Sequence, residues 1–266
     1  MYDKFNRKIN YLRISITDRC NLRCTYCMPE SGIKLLNHKD IISFEEIVDV
    51  VKLSVSRGID KVRITGGEPL VRKGIVDLVR MIAEIPGVKD FGLTTNGIYL
   101  KKYAKGLKDA GLRRVNVSLD TLNPEKYKEI TRLGNIQDVL DGIDESVKVG
   151  LTPVKINCVI QKSSQEPDAL DVAKYCEEKN IKIRYIRQMQ LNLGHFSVVE
   201  GGEGGDCKIC NRLRLTANGN IKPCLFNNDE YSIRELGIEE ALNKALIHKP
   251  ECGSVNTNGE FYNIGG

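Results

Sequence analysis

Short aliphatic and β-branched runs alternate with amphipathic stretches from residue 11 to about residue 187. The runs predict strands at 11–17, 61–65, 90–95, 113–118, 152–161 and 182–187. Helical spacing fills the intervals at 43–57, 72–85, 99–110, 124–149 and 167–179, the fourth interrupted near Gly134. Ser43 with Glu46 three positions on reads as a capping box, and Gly58 as the stop of the same helix. Six β–α units in succession predict an α/β fold whose parallel sheet is open or curled into a partial, TIM-like (β/α)6 barrel. Right-handed crossovers would bring every strand's C-terminal end to one rim. The chemically notable residues gather at those ends: 17–27, Gly66-Gly67-Glu68-Pro69, Thr95-Asn96-Gly97, Ser118, Lys162 and Met189.

Beyond residue 188 the pattern changes. A glycine-rich stretch, 200–206, leads to a second cysteine group, a helix is expected at 233–247, and a polar tail ends in Gly265-Gly266. The expected division is therefore a barrel over 1–188 and a small C-terminal iron–sulfur lobe over 189–266. No repeat of solenoid length is present.

The composition fits a folded protein, with 41% hydrophobic and 28% charged residues. No apolar run nears the ~18 residues that cross a bilayer, and the N-terminus lacks a signal-peptide core, so a cytoplasmic protein without membrane contact is expected. The net charge of +5 suits a small anionic ligand at least as well as a nucleic acid, and no basic block suggests a polyanion track.

Nine cysteines in a reducing compartment argue against a disulfide framework. Cys158, Cys176 and Cys252 are isolated in sequence and read as small buried hydrophobes. The other six form two triads. Cys20, Cys24 and Cys27 have C-x3-C-x2-C spacing; Cys207, Cys210 and Cys224 have C-x2-C-x13-C. Three thiolates on a four-iron cubane leave one iron to bind something else, whereas electron-transfer clusters mostly take four cysteines. Zinc, the bland alternative, usually wants paired C-x2-C arms. Arg212 and Arg214, beside the second triad, would share one face of a strand and suit a planar anionic ligand.

The first triad, with Tyr26 before its last cysteine, resembles the signature of radical S-adenosylmethionine (SAM) enzymes. There the methionyl end of SAM chelates the open iron, and electron transfer releases a 5′-deoxyadenosyl radical. Gly66-Gly67-Glu68-Pro69 matches the segment that family places against the SAM amine. The resemblance implies that Tyr26, Gly66, Gly67, Glu68, Thr95, Asn96, Ser118 and Met189 contact SAM. The glycines would let backbone come close, and Glu68 would add negative charge.

Asp18-Arg19-Cys20-Asn21, Arg63-Ile64-Thr65-Gly66-Gly67, Asn116-Val117-Ser118, Cys210-Asn211-Arg212-Leu213-Arg214 and the terminal Ile264-Gly265-Gly266 together resemble the GTP 3′,8-cyclases of molybdenum-cofactor biosynthesis. The likeness spans about 10–190, 207–226 and the last residues. It implies two 4Fe-4S clusters and abstraction of the GTP 3′ hydrogen, followed by attack of the ribosyl carbon on guanine C8. Arg13, Lys61, Arg63, Thr65, Lys162, Arg184, Arg212 and Arg214 would bind GTP, and Arg212, Arg214, Gly265 and Gly266 would serve the reacting end. A flavodoxin- or ferredoxin-type donor, a downstream cyclic pyranopterin monophosphate synthase, and a monomer or homodimer are also implied. Family members run about sixty residues longer, and here only seventeen residues separate Met189 from Cys207. Arg187 stands where an acidic residue is usual. A cyclase-derived enzyme for another nucleotide or a peptide, and a non-enzymatic iron–sulfur carrier, are the alternatives.

Overall fold

A computed structural model describes residues 1–258 and 261–265. Strand β1 (Tyr11–Ser15) is followed by α1 (Phe44–Ser56), β2 (Lys61–Thr65), α2 (Ile75–Ala83), β3 (Asp90–Thr95), α3 (Leu100–Asp109) and β4 (Arg114–Ser118). Then come α4 (Pro124–Thr131), α5 (Ile136–Lys148), β5 (Val154–Ile160), α6 (Pro167–Glu178) and β6 (Lys182–Arg187). The C-terminal part adds β7 (Arg212–Leu215), β8 (Asn220–Lys222), β9 (Tyr231–Ser232), α7 (Ile233–Leu236), α8 (Ile238–Ile247) and α9 (Phe261–Ile264).

One nine-stranded sheet orders these as β6-β5-β4-β3-β2-β1-β7-β8-β9 among the described residues. β1 to β6 run parallel, each beside its sequence neighbour, as in a partial barrel. β7 joins β1 in parallel, and β8 and β9 continue antiparallel. The sheet therefore crosses the expected boundary at residue 188 without a break.

Local chemistry fixes the helix ends. Ser43 Oγ accepts from the Glu46 N–H at 3.1 Å and Glu46 accepts from the Ser43 N–H at 2.7 Å, the capping box expected at the start of α1. The long helical pattern at 124–149 divides into α4 and α5, each capped by an asparagine, Asn123 and Asn135. The helix expected at 233–247 is likewise two, parted at Gly237.

Strand parity builds the site. Successive residues of a strand face opposite sides. Leu12, Ile14, Val62, Ile64, Leu93, Val115, Val117 and Ile156 are fully buried in the main core with residues of α1, α2, α3 and α5. Each such side chain stabilises the fold by roughly 1.5–3 kcal/mol. The intervening residues point the other way and are polar: Tyr11 and Arg13, Lys61, Arg63 and Thr65, Asp90 and Thr94, Arg114, Asn116 and Ser118, Lys155 and Asn157, and Lys182 and Arg184. The concave face is thus a polar, basic wall.

The open edge of β6 is covered by the glycine-rich segment. Tyr185 and Glu200 exchange backbone hydrogen bonds of 3.0 and 3.1 Å. A Cβ at Gly205, whose φ is +80°, would overlap the Ser197 carbonyl, so the segment can turn this tightly only as glycine.

Candidate functional site

The concave face encloses a cavity of about 890 Å³, near the top of the usual range for ligand sites. Cys20, Cys24 and Cys27 line one part of it, Cys207, Cys210 and Cys224 another, and the basic wall is shared between them.

The first triad sits on the loop after β1. That loop is held by the glycines of the next strand end. Gly67 N–H donates to the Thr17 carbonyl at 2.7 Å and Glu68 N–H to the Arg19 carbonyl at 2.8 Å. A Cβ at Gly67 would overlap the Arg19 carbonyl, so glycine is needed for the cysteine loop to pack here. The close approach that Gly67 makes here is to the loop's own backbone.

Glu68 belongs to the same local framework. It is buried, at 1% exposure, and its carboxylate accepts from Leu70 N–H, Thr95 Oγ1 and Asn96 N–H at 2.9, 2.8 and 2.7 Å. It ties β2 to the end of β3 and is not part of the cavity lining. Burial pushes its carboxyl up to about 7 despite those donors. Thr95 spends its hydroxyl on Glu68, and the hydroxyl that meets the cavity wall unpartnered is that of Thr94. Asn96 turns its amide to Asn21 at 2.8 Å and to the Cys20 sulfur at 3.8 Å, so it orients the cysteine loop. Tyr26 donates to Asp120 at 2.7 Å. Tyr26, Gly66, Gly67, Thr95, Asn96, Ser118 and Met189 line the cavity.

Seven of the eight expected GTP residues, Arg13, Lys61, Arg63, Thr65, Arg184, Arg212 and Arg214, line the cavity. Lys162 does not. It lies beyond the end of β5, exposed, with its N–H on Glu166. Lys155, in phase with the inward positions of β5, takes its place on the wall, and Arg114, Asn116, Asn157 and Lys182 complete it. Sequence reading missed these five, although the two-residue alternation carries the signal.

The wall is chemically unfinished. Buried Nε atoms of Arg63, Arg114 and Arg212, Thr94 Oγ1, and both amide atoms of fully buried Asn116 have no hydrogen-bond partner. Burial and the neighbouring cations lower Lys155 to about 8, Arg184, Arg114 and Arg63 being the neighbours that matter. Arg114 falls to about 10 for similar reasons. Crowded cations with spare N–H donors fit a polyanion that restores both charge balance and hydrogen bonds.

Arg212 and Arg214 follow the second triad on β7 and share the inward face, as the alternation predicts. The Arg212 guanidinium lies over the Tyr11 ring at 5.5 Å, and Arg63 over the same ring at 5.8 Å. Arg214 donates to the carbonyl of Gly265. Gly265 has φ +76°, and a Cβ there would overlap Thr65 Oγ1, so the tail seats against β2 only as glycine. Gly266 lies outside the described residues.

The second triad is bordered by Lys249, which is 1% exposed. Its ammonium donates to the Cys210 sulfur at 3.5 Å and to the carbonyls of Arg212 and Pro223 at 2.8 and 2.7 Å. Cys158 and Cys176 are buried hydrophobes, as expected. Cys252 is not: it is exposed and paired with Cys207.

Among the described residues no three His, Cys, Asp or Glu side chains are grouped closely enough to hold a single metal ion. A cubane takes its thiolates on separate irons, and the all-thiol sets in the cavity wall match that chemistry. Cys20, Cys24 and Cys27 carry no disulfide and fit the first cluster. Cys210 and Cys224 fit the second, with Cys207 joining them once its sulfur is released. No helix among the described residues is long and apolar enough to cross a membrane.

The radical SAM superfamily profile matches residues 14–176, and the molybdenum cofactor synthesis C profile matches 154–251. A GTP 3′,8-cyclase of Alkaliphilus oremlandii is 42% identical over 299 aligned positions, covering 94% of this chain and 93% of that protein. One of Thermodesulfovibrio yellowstonii is 42% identical over 311, covering 97% of each. Both alignments are longer than this chain of 266 residues, so they carry gaps in it. Among solved structures, Streptococcus suis SuiB superposes with a TM-score of 0.66 at 17% identity, over 93% of this chain and 68% of its own. Native anSMEcpe with bound AdoMet gives 0.62 at 18%, over 91% and 81%. The structural likeness shows the partial-barrel fold, and the sequence matches show that the chain belongs to the GTP 3′,8-cyclase family of the radical SAM superfamily.

Proposed function

We propose that the protein converts GTP to 3′,8-cyclo-7,8-dihydro-GTP, a lyase reaction of molybdenum-cofactor biosynthesis. The observation that carries this reading is one cavity in which two cysteine triads share a basic, donor-rich wall. Cys20, Cys24 and Cys27 would hold the first 4Fe-4S cluster, and Cys207, Cys210 and Cys224 the second. When bound, the first cluster and SAM supply one-electron chemistry that removes the 3′ hydrogen of the substrate.

The chain's own residues do the rest. Arg13, Lys61, Arg63, Arg114, Lys155 and Arg184 bind the triphosphate by charge and N–H donation, which suits a reaction that leaves the phosphates intact. Thr94 and Asn116 offer a hydroxyl and a carboxamide to the ribose. Arg212 and Arg214 fix the base end, with Gly265 holding the Arg214 guanidinium in place. Gly66, Ser118 and Met189 line the side that receives SAM. Residues of the 196–206 segment line the cavity, and where they cover bound substrate they would keep out water that weakens charge interactions. The reducing equivalents would come from a low-potential flavodoxin- or ferredoxin-type donor in the cytoplasm, and the product would pass to a cyclic pyranopterin monophosphate synthase.

The test is anaerobic reconstitution with iron, sulfide, SAM, dithionite and GTP. The expected outcome is 5′-deoxyadenosine together with a product isomeric with GTP by mass. 5′-Deoxyadenosine formed equally without GTP, and no cyclised product, would count against this substrate.

A further inference from the structure

Cys252 lies in the turn after α8, exposed to solvent, and its sulfur is bonded to that of Cys207, 45 residues away, with the Cα atoms 5.1 Å apart. That separation is ordinary for a disulfide. Cys207 lines the cavity, whereas Cys252 does not. The pair thus joins a cluster ligand on the inside to a thiol on the outside.

The same short strap meets the other two cysteines of the triad. Lys249 donates to the Cys210 sulfur, and a Cβ on Gly253 would come within 3.1 Å of the Cys224 sulfur. The strap is anchored without the disulfide. Arg7 donates to the carbonyls of Cys207, Pro250 and Glu251 at 2.7, 2.7 and 2.6 Å, and its own position is fixed by Asp3 at 2.7 Å. Lys249 adds its two carbonyl bonds. Breaking the sulfur–sulfur bond therefore frees Cys207 while the strap stays where it is. A staple would have to hold something that nothing else holds, and this one does not.

We propose that Cys207–Cys252 is a thiol–disulfide site that gates the loading of the second cluster, with a dithiol reductant as its chemical partner. Paired, the second triad offers two sulfurs; reduced, it offers three. A thiolate of the dithiol attacks the exposed Cys252 sulfur and forms a mixed disulfide. The Cys207–Cys252 bond breaks and its electron pair leaves with Cys207 as a thiolate facing the cavity. The second thiol of the reductant then displaces Cys252 and closes the reductant's own disulfide, so two electrons have passed to the chain. The reverse step needs a disulfide oxidant, such as oxidised glutathione, which takes up those two electrons. The inference rests on the second triad being a cluster site and is independent of the substrate, since neither measurement below involves GTP.

The test uses the full chain with Cys20, Cys24 and Cys27 replaced by alanine, so that bound iron reports the second site alone. The cluster-free chain is treated with oxidised glutathione, freed of it, and offered a preassembled cluster on a donor protein, without free thiol or sulfide. The expected result is loss of iron uptake that dithiothreitol restores, with Cys207 and Cys252 recovered as one disulfide-linked peptide pair from the oxidised chain. Cys252→Ser and Cys252→Ala should load without dithiothreitol, because Arg7 and Lys249 still hold the strap. Equal loading of the oxidised and reduced chains would overturn the proposal, as would alkylation of both cysteines in the oxidised chain. Protection of Cys252 from alkylation in the loaded chain would also overturn it, by making Cys252 a ligand.

Discussion

Around Cys20, Cys24 and Cys27 the neighbouring ionisable groups are mostly acids and other thiols; around Cys207, Cys210 and Cys224 they are mostly bases. Burial pushes the Cys20 thiol up to about 11, with Glu68 adding to the rise. Burial also pushes Cys24 far up, reinforced by Cys27, Asp120 and Cys20. At the second site burial acts on Cys210 in the same sense, yet the Lys249 ammonium and the Arg212 N–H outweigh it and hold that thiol below its ordinary value. The difference teaches that equal numbers of thiols make unequal sites. Cys20 and Cys24 stay protonated until a metal displaces the protons, whereas Cys210 has its counter-charge in the protein. Cys210, whose surroundings favour the thiolate, lies three residues from the paired sulfur of Cys207.

The sharpest way to break this comparison is to delete one ligand from each side. Cys24→Ala is expected to abolish 5′-deoxyadenosine formation. Cys210→Ala is expected to spare SAM cleavage while losing the cyclised product, both read by chromatography and mass spectrometry. Equal loss of both products in the two variants would remove the division of labour.

Next in size is the wall between the triads. Lys155→Ala should weaken GTP binding by on the order of a hundredfold, the scale of removing one partner from a buried charge contact. Lys162→Ala should leave affinity essentially unchanged, because Lys162 is outside the cavity lining. Equilibrium dialysis of the anaerobic holoprotein measures both, and a Lys162 effect as large as that of Lys155 would refute the wall as drawn.

A third effect concerns the acid beneath the first triad, and it is on stability and not on turnover or binding. Glu68 ionises at about 7 in the folded chain, above its ordinary value of 4.5. The folded state therefore holds the proton more tightly than the unfolded one. The stability this gives is present below 4.5 and is lost as the pH rises to about 7. The span corresponds to on the order of 3 kcal/mol. Thermal melts of the cluster-free chain should fall across that window, and Glu68→Gln should flatten the slope even where its lost acceptor lowers the melting temperature throughout. An unchanged slope in Glu68→Gln would show that other groups set it.

Much of this site was legible in one dimension because its signals are local. The capping box at Ser43 and Glu46, the break near Gly134, and the spacing of both triads depend on residues within a turn or two of each other. Lys162 falls beyond the end of β5 and outside the cavity lining, and Lys155 and Thr94 were overlooked for one shared reason. Motif position names a strand end, whereas the pleat decides which of two adjacent residues faces in, and Lys155 and Thr94 have the inward parity. Counting alternate positions back from the strand ends would have found them.

Cys252 had no such signal. Its partner is 45 residues away, and only the return of the chain after α8 brings the two sulfurs together. The roles of Glu68 and Lys249 were equally hidden, since burial and long-range partners set them. The sequence by itself determined the element order, the two sets of thiols and the basic character of the wall, because residue type and short-range spacing encode them. The tertiary structure alone decided which charges share the cavity, which thiols sit among acids and which among bases, and which cysteine can reach Cys207. Those properties depend on distances through space, and a parallel sheet makes such distances short between residues far apart in the chain.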